Sequence, residues 1–170
     1  MVWGLVSKSN SGRKFHSPFQ KPIVLVGLMG AGKTSIGRKL AERMQISFVD
    51  ADHEIEKAAG CTITEIFEKF GEKEFRRGEK RVIERLLKSR PCILATGGGA
   101  FIDPETRATI KNTAVSIWLN ADLDTLDHRL ARRSGRPLLQ TKNPRATLQS
   151  LMEKRYPIYA EADMTVDTKN

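Results

Sequence analysis

The sequence is short of the residues that staple small proteins or build metal cages. Its 170 residues include two cysteines, Cys61 and Cys92, too few for a disulfide framework or an all-cysteine metal site. No two of its three histidines, His16, His53 and His128, have ligand spacing, so they read as surface residues rather than zinc or haem ligands. No apolar run approaches the roughly eighteen residues of a membrane span. Aromatic residues make up 6%, too little for the stacking platform that single-stranded nucleic acid uses. What is present, 39% hydrophobic and 29% charged residues, suffices for one domain with its own core.

The net charge is +9, which first suggests nucleic acid. Its distribution argues otherwise. Residues 1–22 hold Lys8, Arg13, Lys14 and Lys21 and no acid, so much of the excess lies in a Ser- and Gly-rich tail. Residues 1–20 have no apolar period and read as a disordered basic extension, with a transit peptide as the alternative. The rest of the excess is scattered arginine, which small phosphorylated or carboxylated ligands explain equally well.

From Pro22 onward, short apolar blocks alternate with amphipathic segments. Ile23–Val26, Ser47–Asp50, Cys92–Ala95, Ala114–Leu119 and Met164–Val166 read as strands. Helices are expected over Lys33–Met44, from a capping box at Thr62–Glu65, over Glu74–Ser89, after Asp103-Pro104, over Leu123–Arg133 and after Asn143-Pro144. This alternation predicts an α/β protein with a largely parallel sheet.

Gly27-Leu28-Met29-Gly30-Ala31-Gly32-Lys33-Thr34 matches G-x-x-x-x-G-K-[ST] in full, between a buried strand and a helix. Such a loop curls its N–H groups into one concavity for phosphate oxygens, and the helix N-terminus adds partial positive charge. Lys33 reaches the β- and γ-phosphates, and the Thr34 hydroxyl suits Mg²⁺. The chance of an accidental match is well under about one in a hundred. Nucleoside triphosphate binding follows.

Four further features are candidates for the acceptor side. Asp50 and Asp52 lie at the carboxyl end of the second strand, where α/β sheets bind ligands; one of them is also a natural helix N-cap. Arg76 and Arg77 sit early in a helix, against its dipole. They suit an anion, or else a solvated face with Arg76 paired to Glu79. Gly97-Gly98-Gly99 allows close backbone approach or makes a simple turn. Arg129, Arg132, Arg133 and Arg136 surround the polar loop 134–143, serving phosphate or only the helix end.

Taken in order, GLMGAGKT, VDAD, EKEFRRGE, ATGGGA, GRPLL and LMEKRYPIY resemble the shikimate kinase family from about Pro22 to Thr168. The resemblance implies a three-layer P-loop kinase fold, with a five-stranded parallel sheet flanked by helices and a lid at about 134–143. It implies a kinase domain over 21–170 whose substrate-binding segment spans about 51–79. The implied reaction is phosphorylation of the 3-hydroxyl of shikimate by ATP with Mg²⁺, within aromatic amino acid biosynthesis. By the same resemblance, Gly30, Ala31, Gly32, Lys33, Thr34, Ser35, Arg129 and Arg136 bind the nucleotide, and Thr34 and Asp50 serve the metal. Asp52, Arg76, Gly98 and Arg155 bind shikimate. Lys33, Asp52 and Arg136 carry the transfer, Asp52 by assisting deprotonation and Arg136 from the lid. A cytoplasmic monomer with no nucleic-acid or membrane partner is expected.

Two other readings compete. A gluconate-kinase-like enzyme would share the loop and lid, but the Arg76/Arg155 pair with Asp52 fits a compact ring acid better. A nucleotide-gated protein using its tail on RNA would bind nucleic acid with steep salt dependence.

Overall fold

Ile23, Val24, Leu25 and Val26 are apolar without alternation, and all four are buried. That is the signature of a strand covered on both faces of a parallel sheet. The computed structural model, which describes residues 20–131 and 143–168, places this strand, β1, at the centre. The other strands are β2 (Ser47–Asp50), β3 (Cys92–Ala95), β4 (Val115–Asn120) and β5 (Met164–Asp167). Their order is β2-β3-β1-β4-β5, and every neighbouring pair is parallel. The helices are α1 (Lys33–Met44), α2 (Ala51–Ala59), α3 (Ile63–Leu87), α4 (Pro104–Thr113), α5 (Leu123–Ala131) and α6 (Pro144–Tyr159). The result is the expected three-layer α/β fold with a five-stranded parallel sheet. Among the described residues no helix is long and apolar enough to cross a membrane.

Local chemistry explains most boundaries. Thr62 Oγ1 accepts from the Glu65 N–H at 3.2 Å, and Glu65 Oε2 accepts from the Thr62 N–H at 2.8 Å, the reciprocal box that starts α3. Asp103 caps α4 and Asn143 caps α6, each followed by a proline at the first helical position. Strand β4 shifts by one residue from the sequence reading, and β5 extends one residue further, to Asp167.

One expectation is refined and one is corrected. The helix begun at Thr62 and the one expected over Glu74–Ser89 are both present, as two consecutive segments of α3, which runs from Ile63 to Leu87. Its halves meet at Gly71, whose φ of 77° and ψ of 173° break the helical path. The separate apolar period of each half hides that junction. Asp52 does not lie on the strand end: it occupies the first turn of α2, and Asp50 is the N-cap whose side chain accepts from the Asp52 N–H.

The extension over 1–19, the lid residues 134–142 and Arg132, Arg133 and Arg136 lie outside the described residues.

Candidate active site

The nucleotide side starts at the end of β1. Gly27, Gly30 and Gly32 have φ of +136°, +84° and +96°, and Gly30 and Gly32 lie in the left-handed region that glycine enters without steric penalty. Gly32 is the N-cap of α1, with no side-chain cap and no acid in the first turn. The first amides of α1 therefore face the loop's concavity beside the exposed Ser35. Lys33 Nζ donates to the carbonyls of Gly27 at 2.7 Å and Leu28 at 2.9 Å, curling over its own loop. Arg129, on α5, donates to Gly30 O at 3.3 Å and to Thr168 O at 2.9 Å, tying the loop to the end of β5.

Thr34 and Asp50 meet as expected. The Thr34 hydroxyl donates to Asp50 Oδ2 at 3.0 Å, while Asp50 Oδ1 accepts from the Asp52 N–H at 3.1 Å. The cap and the candidate metal carboxylate are thus one residue, using one oxygen for each task. Both donors are hard oxygens. A site with one hydroxyl and one carboxylate suits Mg²⁺, which keeps most of its waters and takes phosphate oxygens.

The acceptor side is assembled from α2, α3, α6 and the turn after β3. A single cleft of about 1030 Å³ joins it to the phosphate loop. Glycines 97–99 form its floor, and each faces a different charged side chain. A Cβ at Gly97 would lie 2.9 Å from both Asp52 Oδ1 and Glu79 Oε1. At Gly98 it would lie 3.5 Å from Arg155 Nη1, and at Gly99 only 2.3 Å from Arg76 Nη1. None of the three has a positive φ. Gly97 and Gly99 thus give clearance to the charged groups beside them, whereas a Cβ at Gly98 would make only ordinary contact. Arg107 fixes the turn, donating to the carbonyls of Phe101 at 3.0 Å and Ile102 at 3.1 Å while pairing with Glu161 beyond α6.

Arg76 lies on this floor over the Phe75 ring, with its guanidinium 5.1 Å from the ring centroid. It donates to Glu79 Oε2 at 2.7 Å and Glu72 Oε1 at 3.2 Å. Burial works against its charge, but Glu79 and Glu72 outweigh burial and hold its pKa above the ordinary arginine value. Arg76 therefore makes the i,i+3 pair with Glu79, and the pair lines the cleft rather than a fully solvated face. Arg77 is exposed and reaches only Glu74, at 3.8 Å. Arg155 donates to Gly98 O at 3.3 Å.

Sequence reasoning treated Glu79 only as a partner for Arg76. In the structure it is 2% exposed, and Oε1 has no hydrogen-bond partner. Burial pushes its carboxyl above the usual range against the pull of Arg76, and the nearby Asp52 and Asp103 carboxylates add to the rise. Tyr159 was also missed. It is fully buried and its hydroxyl donates to Gly98 O. The available signals were the spacings Arg76–Glu79 and Arg155–Tyr159, three and four residues along a helix.

A phosphate-type loop on one wall and carboxylates with arginines on the other match the division of labour in a P-loop kinase acting on a small molecule. The family model described as shikimate kinase matches residues 29–170. The chain belongs to the shikimate kinase family. It is 56% identical over 150 residues to a shikimate kinase of Bradyrhizobium diazoefficiens, covering 88% of this chain and 72% of that one. It is 53% identical over 148 residues to one of Bartonella henselae, covering 87% and 70%. A shikimate kinase from Acinetobacter baumannii, solved in complex with shikimate, superposes with a TM-score of 0.85 at 42% identity, covering 88% of this chain and 84% of that one.

Proposed function

We propose that this chain transfers the γ-phosphoryl group of ATP to the 3-hydroxyl of shikimate, giving shikimate 3-phosphate and ADP. The carrying observation is the glycine floor, where Gly97 and Gly99 leave room for Asp52 and Arg76 and the Gly98 carbonyl holds Arg155, in the cleft that begins at the phosphate loop. A ring acid lying there has two arginines for its carboxylate and one aspartate for its hydroxyls. Asp52 accepts hydrogen bonds from those hydroxyls and takes the proton of the attacking one. The backbone of Gly98 supports the ring. The loop amides, Lys33 and the first turn of α1, including Ser35, hold the triphosphate, with Arg129 beside it. Thr34 and Asp50 are the residues that would hold Mg²⁺, which when bound would supply charge neutralisation for the transferred phosphoryl group.

The substrate-binding segment is assigned to about 51–79, since α2 and α3 supply Asp52, Arg76 and Glu79. Arg136 and the lid at 134–143 are assigned to the transferring phosphate on family resemblance. A monomer and a cytoplasmic setting belong to the same reading.

The test is ADP release with a panel of polyol acids. Shikimate should support turnover and gluconate should not. Turnover on gluconate alone would replace this reading with the gluconate-kinase one.

A further inference from the structure

The Gly98 carbonyl has two partners from the same helix face. Tyr159 and Arg155 lie four residues apart on α6 and both donate to this oxygen, the hydroxyl directly and Arg155 Nη1 at 3.3 Å. Tyr159 is fully buried, wedged against Trp118 and Tyr156 with ring centroids 6.1 and 6.3 Å away. It therefore has little room to move. Arg155 is only half-buried and lines the cleft. Of the two donors, one is fixed and the other is exchangeable.

We propose that Tyr159 is a positioning residue for the acceptor acid: it holds the Gly98 carbonyl so that Arg155 can leave that oxygen and grip the substrate carboxylate. The inference rests on the assignment of Arg155 and Gly98 to the acceptor. A carbonyl oxygen has two lone pairs and accepts both donors. When Arg155 turns to a carboxylate, the Tyr159 hydroxyl keeps the carbonyl satisfied. Without that hydroxyl, moving Arg155 would strand a half-buried acceptor, which is unfavourable. The peptide plane adds a second effect. In a trans peptide the Gly98 C=O and the Gly99 N–H point in opposite directions. A carbonyl drawn toward α6 thus turns the next amide away from α6. Burial pushes the pKa of the Tyr159 hydroxyl up to about 12, despite the opposing pull of Arg155, so it remains a donor across the working range of pH.

The test compares the full chain with Tyr159→Phe, Arg155→Lys and the double variant. Each is assayed with shikimate and with an analogue carrying hydroxymethyl in place of the carboxylate. Tyr159→Phe keeps the ring and should leave the melting temperature within a few degrees. Its KM for shikimate should rise about three- to tenfold, the scale of one neutral hydrogen bond. Its KM for ATP and its kcat should stay within about twofold. The penalty should shrink on the analogue and in the Arg155→Lys background. An unchanged KM for shikimate would overturn the proposal, as would an equal rise for ATP or an equal penalty on the analogue. If Arg155→Lys itself leaves shikimate KM unchanged, the clamp assignment fails and this inference goes with it. If Arg155→Lys weakens shikimate but Tyr159→Phe does not, only this inference fails.

Discussion

Gly30 and Gly32 have φ of +84° and +96°, whereas glycines 97–99, at the other end of the same cleft, have no positive φ. The first pair is glycine first of all because of its own backbone, although a Cβ at Gly30 would also crowd Leu130 at 3.1 Å. In the second group, Gly97 and Gly99 are glycine because of their neighbours: a Cβ would strike Asp52 and Glu79 at one and Arg76 at the other. On the nucleotide side one continuous segment of chain forms the loop. On the acceptor side no glycine has a positive φ, and the charged side chains around the turn come from three helices. By the proposed assignment, the first holds phosphates through backbone amides and the second holds the acceptor through side chains.

The largest effect should come from the residue the phosphate loop cannot replace. Lys33→Ala should lower turnover by about 10³–10⁵-fold, the scale of losing a cation on a transferring phosphoryl group. Near-normal ADP release at saturating ATP and shikimate would show that the backbone alone holds the phosphates. Next is Asp52→Asn, which keeps the shape and removes the charge; kcat should fall about 10²–10⁴-fold. A silent Asp52→Asn would move the proton acceptor elsewhere, with Asp50 as the next candidate.

A matched pair of glycine variants tests the comparison itself. Gly99→Ala should displace the Arg76 guanidinium and raise the KM for shikimate by about 10–100-fold, near the low end for disturbing one partner of a buried charge pair, with little change for ATP. Gly30→Ala should do the reverse. Its left-handed backbone adds about 1–2 kcal/mol of strain, to be read in the KM for ATP. Equal losses for both substrates in either variant would erase the distinction.

The smallest effect comes from a glycine with neither constraint. Gly78 lies inside α3 with no positive φ, and no atom stands within 4 Å of the place a methyl group would take. Gly78→Ala should stabilise the fold by about 0.5–1 kcal/mol, seen as a melting temperature raised by a few degrees with unchanged kinetics.

The same contrast explains what could be read from the sequence. The phosphate loop is eight consecutive residues, so its composition and its setting between strand and helix are visible together. The span of α1 and the caps at Thr62, Asp103 and Asn143 were legible for the same reason, since each is a local pattern. The acceptor site is not local. Arg155 meets Gly98 across 57 positions, and no periodicity carries that contact; family resemblance assigned each residue to the acceptor but not their bond to each other. The burial of Glu79 depends on Asp52 and the glycine turn closing over one oxygen, which a surface i,i+3 pair does not reveal. Gly71 was hidden by the helices on either side of it, each regular in itself.

The glycine floor also limits how this protein can change. Every other amino acid carries at least a Cβ, so any substitution at Gly97 or Gly99 intrudes on Asp52 and Glu79 or on Arg76, groups of the proposed acceptor site. A compound that rests on this floor and takes hydrogen bonds from its amides touches a surface that cannot be reshaped by one substitution without disturbing the natural acceptor as well. Resistance would have to arise elsewhere in the cleft, at side chains that can shrink or turn aside.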